Sequence, residues 1–478
     1  MSKYTYNQIT PEIIEQLKTA ANGHVIVGGD INEDFSHDEM RIYGENMPDV
    51  LVEPTTTEEV AAVMKVCNDN KIPVTPSGAR TALTGAAVAI LGGVMLSTTK
   101  MNQIISYDLD NYTVTIQPGV LLNDLAEDAL KHGVMYPPDP GEKFATVGGN
   151  VSTNAGGMRA VKYGTTRDYV RSMTVVLPDG EIVREGASVS KTSSGYSLLD
   201  LMIGSEGTLG IITEMTLKVI TPPETTMSMI IPYPTLEEAI AAVPKLFAAH
   251  LDPQALEFME KDVTMDTQKQ LEKDVFPSEM DGIDIGAFVL ATFDGNDEDE
   301  VMDKIEKASE IVLEAGAVDV LVADTPQLLR DAWAIRSGLL DTIEDNTKLL
   351  DECDVVVPIT KIPEFLTYAK SLGEGKDYVI KDFGHAGDGN LHIYLCSDGD
   401  DKEAFMQESD IFMKKVYAKA IELGGLISGE HGIGMGKMSY LRDMVGDKNM
   451  ALMLGIKKVF DPNMILNPGK VCFDLDAE

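Results

Sequence analysis

The chain has only four cysteines in 478 residues, Cys67, Cys353, Cys396 and Cys472, and they stand far apart with no C-x-x-C pair. An iron–sulfur cluster or a zinc knuckle built on such a pair is therefore excluded, and free thiols of a reducing compartment are the expected state. Any redox chemistry must then pass its electrons on without a cluster of its own. Basic residues are scarce, with 39 Lys and Arg against 77 Asp and Glu and a formal net charge of −38. Such a field repels nucleic-acid phosphates and anionic membranes, so no nucleic-acid partner is expected. A small anionic substrate would need a local cationic pocket to overcome it. No apolar run approaches the length of a membrane span, and Met1-Ser2-Lys3-Tyr4-Thr5-Tyr6 lacks the basic-then-apolar pattern of a signal peptide. A cytoplasmic location is the expectation. Two nucleotide signatures are also missing. No G-x-G-x-x-G opens a helix with an acidic residue about 20 positions on, and there is no G-x-x-x-x-G-K-[ST] loop. The run Gly432-Ile433-Gly434-Met435-Gly436 is only a loose echo of the first.

The length implies two or three domains, and a hydrophobic fraction of 44% is that of a globular protein. A helix is expected over Pro11 to Ala20 and another over Thr57 to Asn70, the second with Thr-Glu-Glu at its start and Val60, Val63, Met64 and Cys67 at helical spacing. Strands are expected at Val50 to Val52, Val74 to Pro76, Val94 to Ser97, Thr113 to Gln117, Thr174 to Leu177 and Thr213 to Ile220. Pro222-Pro223 then marks a boundary. Beyond it, strands at Met227 to Tyr233, Ala255 to Met259, Ala287 to Phe293 and Val318 to Val322 flank helices at Leu236 to His250 and Glu298 to Ala315. This is a βαβ unit occurring twice, and it suggests an antiparallel α+β domain built by duplication.

Four loops rich in Gly, Ser and Thr occupy the N-terminal half: Pro76 to Gly85, Gln117-Pro118-Gly119, Thr146 to Gly157 and Gly204 to Gly210. Glycine pairs let main-chain N–H groups converge on an anion, and several such loops can wrap a long phosphate-bearing cofactor. Near the C-terminus, Gly384 to His392 and Ser428 to Gly434 hold three of the seven histidines among glycines. Imidazole nitrogens with a carboxylate oxygen suit Zn, Fe or Mn, and fewer than four protein ligands leave room for a substrate. The competing reading is hydrogen-bonded core histidines beside ordinary turns.

The combination resembles a known family. Pro138-Asp139-Pro140, the run Thr146 to Gly157, Lys162-Tyr163-Gly164 and Gly204 to Thr213 resemble the FAD-binding domain of the vanillyl-alcohol oxidase / p-cresol methylhydroxylase flavoproteins. His385 to His392, Ser428 to Gly434 and Asn467-Pro468-Gly469-Lys470 resemble their D-2-hydroxyacid dehydrogenase branch, which acts on D-lactate, D-2-hydroxyglutarate or glycolate. The resemblance runs from about Pro48 to Lys470. It implies an α+β fold, with a two-part FAD-binding domain and an antiparallel α+β substrate cap. Residues 1–221 would form the FAD-binding domain and residues 222–424 the cap, with residues 425–478 completing the FAD domain and active site. Pro76, Gly78, Ala79, Arg80, Thr81, Thr84 and Gly85 would line the FAD pyrophosphate, with Ala79-Arg80 departing from the small or polar residues usual there. Pro138, Asp139, Thr146, Gly148, Gly149, Ser152, Asn154, Gly157, Glu206 and Ile212 would surround the rest of the flavin, and Asn467 would close the site. No His or Cys in that loop could tether the flavin, so FAD is expected to be non-covalent.

The same resemblance implies His385, His392 and Glu430 as ligands of a divalent metal, Fe2+ or Zn2+ with Mn2+ as a further candidate. His431 would be the general base, and Arg336 would clamp the substrate carboxylate. Asp388 and Asn390 would shape their loop, and Lys470 carries no catalytic role. The expected reaction is oxidation of a small 2-hydroxy acid, D-lactate foremost, by proton abstraction and hydride transfer to flavin. Acidic charge and the absence of clusters are similar to dehydrogenase subunits of anaerobic lactate dehydrogenases that use an electron-transfer flavoprotein, so a redox partner and an oligomer or complex are expected. Glycolate or D-2-hydroxyglutarate dehydrogenase, an O2-using oxidase, a catalytically silent FAD subunit and a flavin-free metallohydrolase remain open.

Overall fold

The computed structural model describes residues 4–323, 325–473 and 475. The chain divides into two compact units. Met1–Ala155, Thr165–Pro222 and Glu430–Glu478 form the first, and Gly156–Gly164 with Pro223–Gly429 the second. The divisions thus fall after Pro222 and Gly429, where 221 and 424 were expected, and the short Gly156–Gly164 strap sides with the second unit.

In the first unit, helix α1 (Pro11–Ala20) opens on the Thr10 side chain, which accepts from the Ile13 N–H, with proline in the first turn. Strands β1 (Val25–Val27) and β2 (Val50–Val52) precede α2 (Thr57–Asn70), whose N-terminus is capped by Thr56 on Glu59 N. Strands β3 (Val74–Ser77) and β4 (Val94–Ser97) complete a sheet of order β1-β2-β4-β3, parallel except for β1. The buried stripe Val60, Val63, Met64 and Cys67 of α2 packs with Leu17 of α1 on a core that Ile465 and Leu466 join from the far end of the chain. A second sheet is wholly antiparallel, of order β5-β6-β9-β7-β8. Its strands are β5 (Ile104–Asp108), β6 (Thr113–Ile116), β7 (Val170–Val176), β8 (Ile182–Gly186) and β9 (Ile211–Lys218). Helices α3 (Leu122–Lys131), α4 (Val147–Thr153), α5 (Ala160–Tyr163) and α6 (Leu198–Met202) lie between them in sequence, α5 within the strap.

The second unit is a seven-stranded antiparallel sheet of order β15-β10-β14-β11-β17-β18-β16. The first half is β10 (Thr225–Tyr233), α7 (Leu236–Ala248), β11 (Ala255–Glu260), α8 (Lys261–Gln270), the short pair β12 (Glu279–Met280) and β13 (Ile283–Asp284), β14 (Ala287–Gly295), α9 (Glu298–Glu314) and β15 (Leu321–Ala323). After α10 (Pro326–Ser337) and α11 (Leu339–Asp345) come β16 (Leu349–Val356), α12 (Ile362–Ser371), β17 (Val379–His385), β18 (Asn390–Ser397) and α13 (Lys402–Glu422). The duplication is therefore larger than a βαβ unit. Strands β10, β11, β14 and β15 with α7 and α9 form a βαββαβ repeat, and β16, α12, β17, β18 and α13 repeat it up to the last strand. That last strand is reduced to a single antiparallel bridge, Val356 to Leu426, against β16. The strand expected at Val318 to Val322 starts later, because Val318 N reaches Pro232 O alone and the ladder resumes at Leu321.

The strap is tied down by one carboxylate. Buried Asp294 on β14 accepts from Lys162 Nζ at 2.5 Å, Tyr163 OH at 2.5 Å and Gln254 Nε2 at 2.8 Å. Gln254 is half of no catalytic pattern; its amide, like the strap's Lys-Tyr pair, serves to satisfy a buried charge.

Back in the first unit, α14 (Met438–Phe460), broken by Gly446 at φ 75°, delivers Lys457 into the core. Its ammonium donates to Thr208 O, Leu466 O and Asp461 Oδ2 at 2.7, 2.7 and 2.5 Å, and Asp461 in turn accepts from Ile465 N and Leu466 N. This pair seats the chain so that Val74 N bonds Ile465 O and Asn467 N bonds Val74 O, extending the first sheet beyond β3. Lys457→Met, which strands the buried Asp461 charge, is expected to lower unfolding stability by about 3–5 kcal/mol. Urea denaturation followed by circular dichroism measures it.

Candidate active site

The glycine loops of the first unit surround a ready-made cradle. From Gly78 to Thr84 no main-chain N–H donates a hydrogen bond to the described residues. Such a run of unspent donors needs an external acceptor, and a phosphate group supplies it. Gly78 has no room for a side chain, since a Cβ would lie 2.3 Å from Thr146 Oγ1. Thr146 caps α4 by accepting from Gly149 N at 3.2 Å, and Gly148 lies against Pro118, where a Cβ would fall 2.5 Å from the ring carbon. Three buried polar atoms on these segments, Thr84 Oγ1, Asn150 Nδ2 and Asn467 Oδ1, have no protein partner. A polar cofactor would complete them, so the residues present fit FAD.

Several of the expected residues also make contacts within the protein. Arg80, at φ 66°, donates its Nε–H to Asp34 O at 2.9 Å and lays its guanidinium 4.0 Å from the Phe35 ring centre. Ser152 Oγ donates to Gly148 O within α4, and Asn154 Oδ1 accepts from Arg167 N and Thr165 Oγ1. Asp139 pairs with Lys143 at 2.5 Å. Pro138 and Ile212 are buried, while Pro76, Ala79 and Thr81 are half-buried around the open turn and Gly85 is held at φ 71°. Gly157 falls in the strap.

Glu206 is the keystone of this unit. Its two carboxylate oxygens accept from Ile433 N at 2.8 Å and Gly434 N at 2.7 Å, while its carbonyl accepts from Asn467 Nδ2 at 2.8 Å. It therefore ties the Gly204 to Gly210 loop to both the second histidine loop and the C-terminal stretch. Burial pushes its carboxyl up despite those amides and the charges of Lys437 and Lys470. Burial likewise brings Lys470 down to about 8, against the opposing pull of Asp38 and Glu206. Within the same unit, His431 Nε2 lies 3.6 Å from Glu430 Oε1.

The second unit builds the histidine pocket on one face of its sheet. Alternate residues of a strand share a face, and the register pairs Glu257 with His385, Phe383 with His392, His392 with Asp354, and Tyr394 with Glu352. Strands β11, β17, β18 and β16 thus project Glu257, Phe383, His385, Asn390, His392, Tyr394, Glu352 and Asp354 to the same side. The β17–β18 turn that brings the histidines opposite each other depends on Gly389 at φ 85°, where a Cβ would stand 2.0 Å from Val357 O. Asp388 accepts from Asn390 N at 3.1 Å to close that turn.

His385 Nε2 and His392 Nε2 face each other at 3.4 Å, both rings buried. His385 Nδ1 lies 2.8 Å from each oxygen of Glu257, and His392 Nδ1 lies 3.5 Å from Glu352 Oε1. Arg336, from α10, donates Nε and Nη2 to Glu257 Oε2 at 2.8 and 2.5 Å and stacks 4.8 Å from the Phe383 centre. The Nε edge of its guanidinium is therefore spent on Glu257, and the Nη1 side carries its remaining donors. Burial drives Glu257 upward, but the His385 imidazole and Arg336 guanidinium more than reverse it, and its carboxyl lies below the usual range. Asp354 accepts from Ser428 Oγ, Gly429 N and Asn390 Nδ2 at 2.9, 3.0 and 2.7 Å, which fixes the chain just before Glu430. Two imidazoles converging at Nε2 beside buried carboxylates are a donor set suited to a divalent cation.

Glu257, Glu352 and Asp354 were not singled out from the sequence. The available signal was a carboxylate at an inward position of otherwise apolar strands, as in Ala255-Leu256-Glu257-Phe258-Met259.

Comparison with known proteins agrees with this architecture. The FAD binding domain family matches residues 48–186, and the C-terminal domain of FAD linked oxidases matches residues 222–471. A D-lactate dehydrogenase of Anaerostipes hadrus is 68% identical over 475 residues, covering 99% of this chain and 100% of that one. The chain is an FAD-linked oxidase of the D-2-hydroxyacid dehydrogenase branch. Another family member, a D-lactate dehydrogenase of Archaeoglobus fulgidus, is 40% identical over 88% of this chain and 91% of its own. The fold of the family is that of p-cresol methylhydroxylase, whose structure superposes with a TM-score of 0.78 over 99% of both chains at 18% identity. The protein is thus an FAD-dependent oxidoreductase.

Gly78→Ala is expected to weaken FAD retention roughly ten- to hundredfold, the effect of about 1–3 kcal/mol of overpacking against Thr146. The flavin-to-protein absorbance ratio after dilution and gel filtration reads it.

Proposed function

We propose that this enzyme oxidises D-lactate to pyruvate, with His385, His392 and Glu430 as the ligands of a divalent metal. The observation that carries the metal reading is the pair of imidazole Nε2 atoms converging at 3.4 Å, with the far nitrogen of His385 already held by a carboxylate. FAD would supply the hydride acceptor, and the cation, Fe2+, Zn2+ or Mn2+, would supply Lewis acidity. His431 takes the hydroxyl proton as general base, a role that suits an imidazole whose ordinary pKa is about 6.5. Arg336, held by Glu257 through Nε and one Nη2 hydrogen, would offer the acid's carboxylate the remaining Nη1 and Nη2 hydrogens. The 68% identity to a protein named D-lactate dehydrogenase supports lactate over longer acids. The absence of any C-x-x-C pair supports a separate electron carrier, an electron-transfer flavoprotein.

Anaerobic flavin bleaching across both enantiomers of lactate, glycolate and D-2-hydroxyglutarate tests the substrate. D-lactate should reduce the flavin fastest, and reduction by L-lactate alone would sink the reading. Rapid reoxidation in air would argue for an oxidase instead of a carrier-coupled enzyme. His392→Ala should lose bound metal and turnover while keeping FAD, by metal analysis and absorbance on one sample. Flavin reduction at the wild-type rate in that variant would disprove the metal mechanism.

A further inference from the structure

We infer that Glu257 is a positioning residue for the metal: it holds His385 by Nδ1 so that Nε2 is the nitrogen presented to a cation, and Arg336 locks that carboxylate in place. The inference rests on the metal reading above and adds a residue that the sequence did not offer. Both Glu257 oxygens lie 2.8 Å from His385 Nδ1, and a carboxylate can only accept there. A proton therefore sits on Nδ1, which makes Nε2, 3.4 Å from His392 Nε2, the nitrogen that would ligate a cation. Adjacent placement on paired strands keeps the two side chains on one face, since Glu257 and His385 are direct partners in the β11–β17 register. Glu257 cannot swing away. Arg336 grips Oε2 through Nε and Nη2, and both residues are buried. Carboxylates on the outer nitrogen of a ligating histidine raise its basicity and fix its ring, and their loss typically weakens metal binding by roughly 10- to 100-fold.

The test measures metal affinity of the FAD-loaded enzyme, stripped with a chelator and titrated with Zn2+ or Mn2+ alone against a competing indicator. Glu257→Gln should bind 10- to 100-fold more weakly than wild type, with an unchanged flavin spectrum. Removing one partner of a buried pair can prevent folding, so Glu257→Gln/Arg336→Met is the second variant. It leaves no stranded guanidinium, and it should show the same weakening. Imidazole 15N shifts of zinc-loaded protein add a signature that a merely structural role would not move: the His385 Nδ1–H resonance should be lost or shifted in both variants. His385→Ala separates the two layers of argument. If His385→Ala loses the metal while both Glu257 variants keep wild-type affinity, the positioning role is overturned. If His385→Ala also keeps the metal, the ligand assignment itself falls.

Discussion

The two-residue period of the β-strand is the constraint on which the histidine pocket depends. Four neighbouring strands, β11, β17, β18 and β16, each contribute side chains to one face, and register alone decides which. A slip of one residue in β17 would turn His385 to the opposite face and put Gly384 beside Glu257. The apolar partners Phe383 and Tyr394 on the same face pin that register by packing, since they belong to the buried core with Met259 and Ile335. Chemistry and packing are therefore not separate regions of this sheet. They alternate along the same strands.

The first unit uses a different device. Its glycine loops leave donors unspent, and buried charges hold the loops in place: Glu206 on Ile433 and Gly434, Lys457 on Thr208 and Leu466. Both charges are satisfied mainly by main-chain groups, so each crosslinks stretches hundreds of residues apart without needing a complementary side chain at each contact. This is how the last stretch of chain becomes an integral part of a domain that begins at the N-terminus.

The sequence revealed much of this and missed the rest for identifiable reasons. Helix α2 announced itself by its capping residues and periodicity, and α1, α9 and many of the strands were also expected from the sequence. The four glycine loops were visible because glycine clusters are rare outside turns and cradles. The duplication was seen only at the level of βαβ, because the fourth strand of the second repeat has shrunk to one bridge at Leu426 and leaves no strand-length pattern. Arg80 and Arg336 were expected at the site through the family resemblance, and the protein partners they meet, Asp34 with Phe35 and Glu257, come from distant chain and cannot be inferred from spacing. Glu257 was missed for the converse reason. A lone glutamate in an apolar strand has no local signature of what it will meet.

The shrunken fourth strand leaves β16 as the outermost strand of the seven-stranded sheet, a place where proteins risk pairing with a neighbouring molecule. This edge carries Asp351, Glu352 and Asp354, all buried. A foreign strand docking there would have to accommodate buried carboxylates, of which Asp351 is committed to Ser409 and Asp354 to Ser428 and Gly429. The residues that hold the site together also make this border of the sheet a poor template for aggregation.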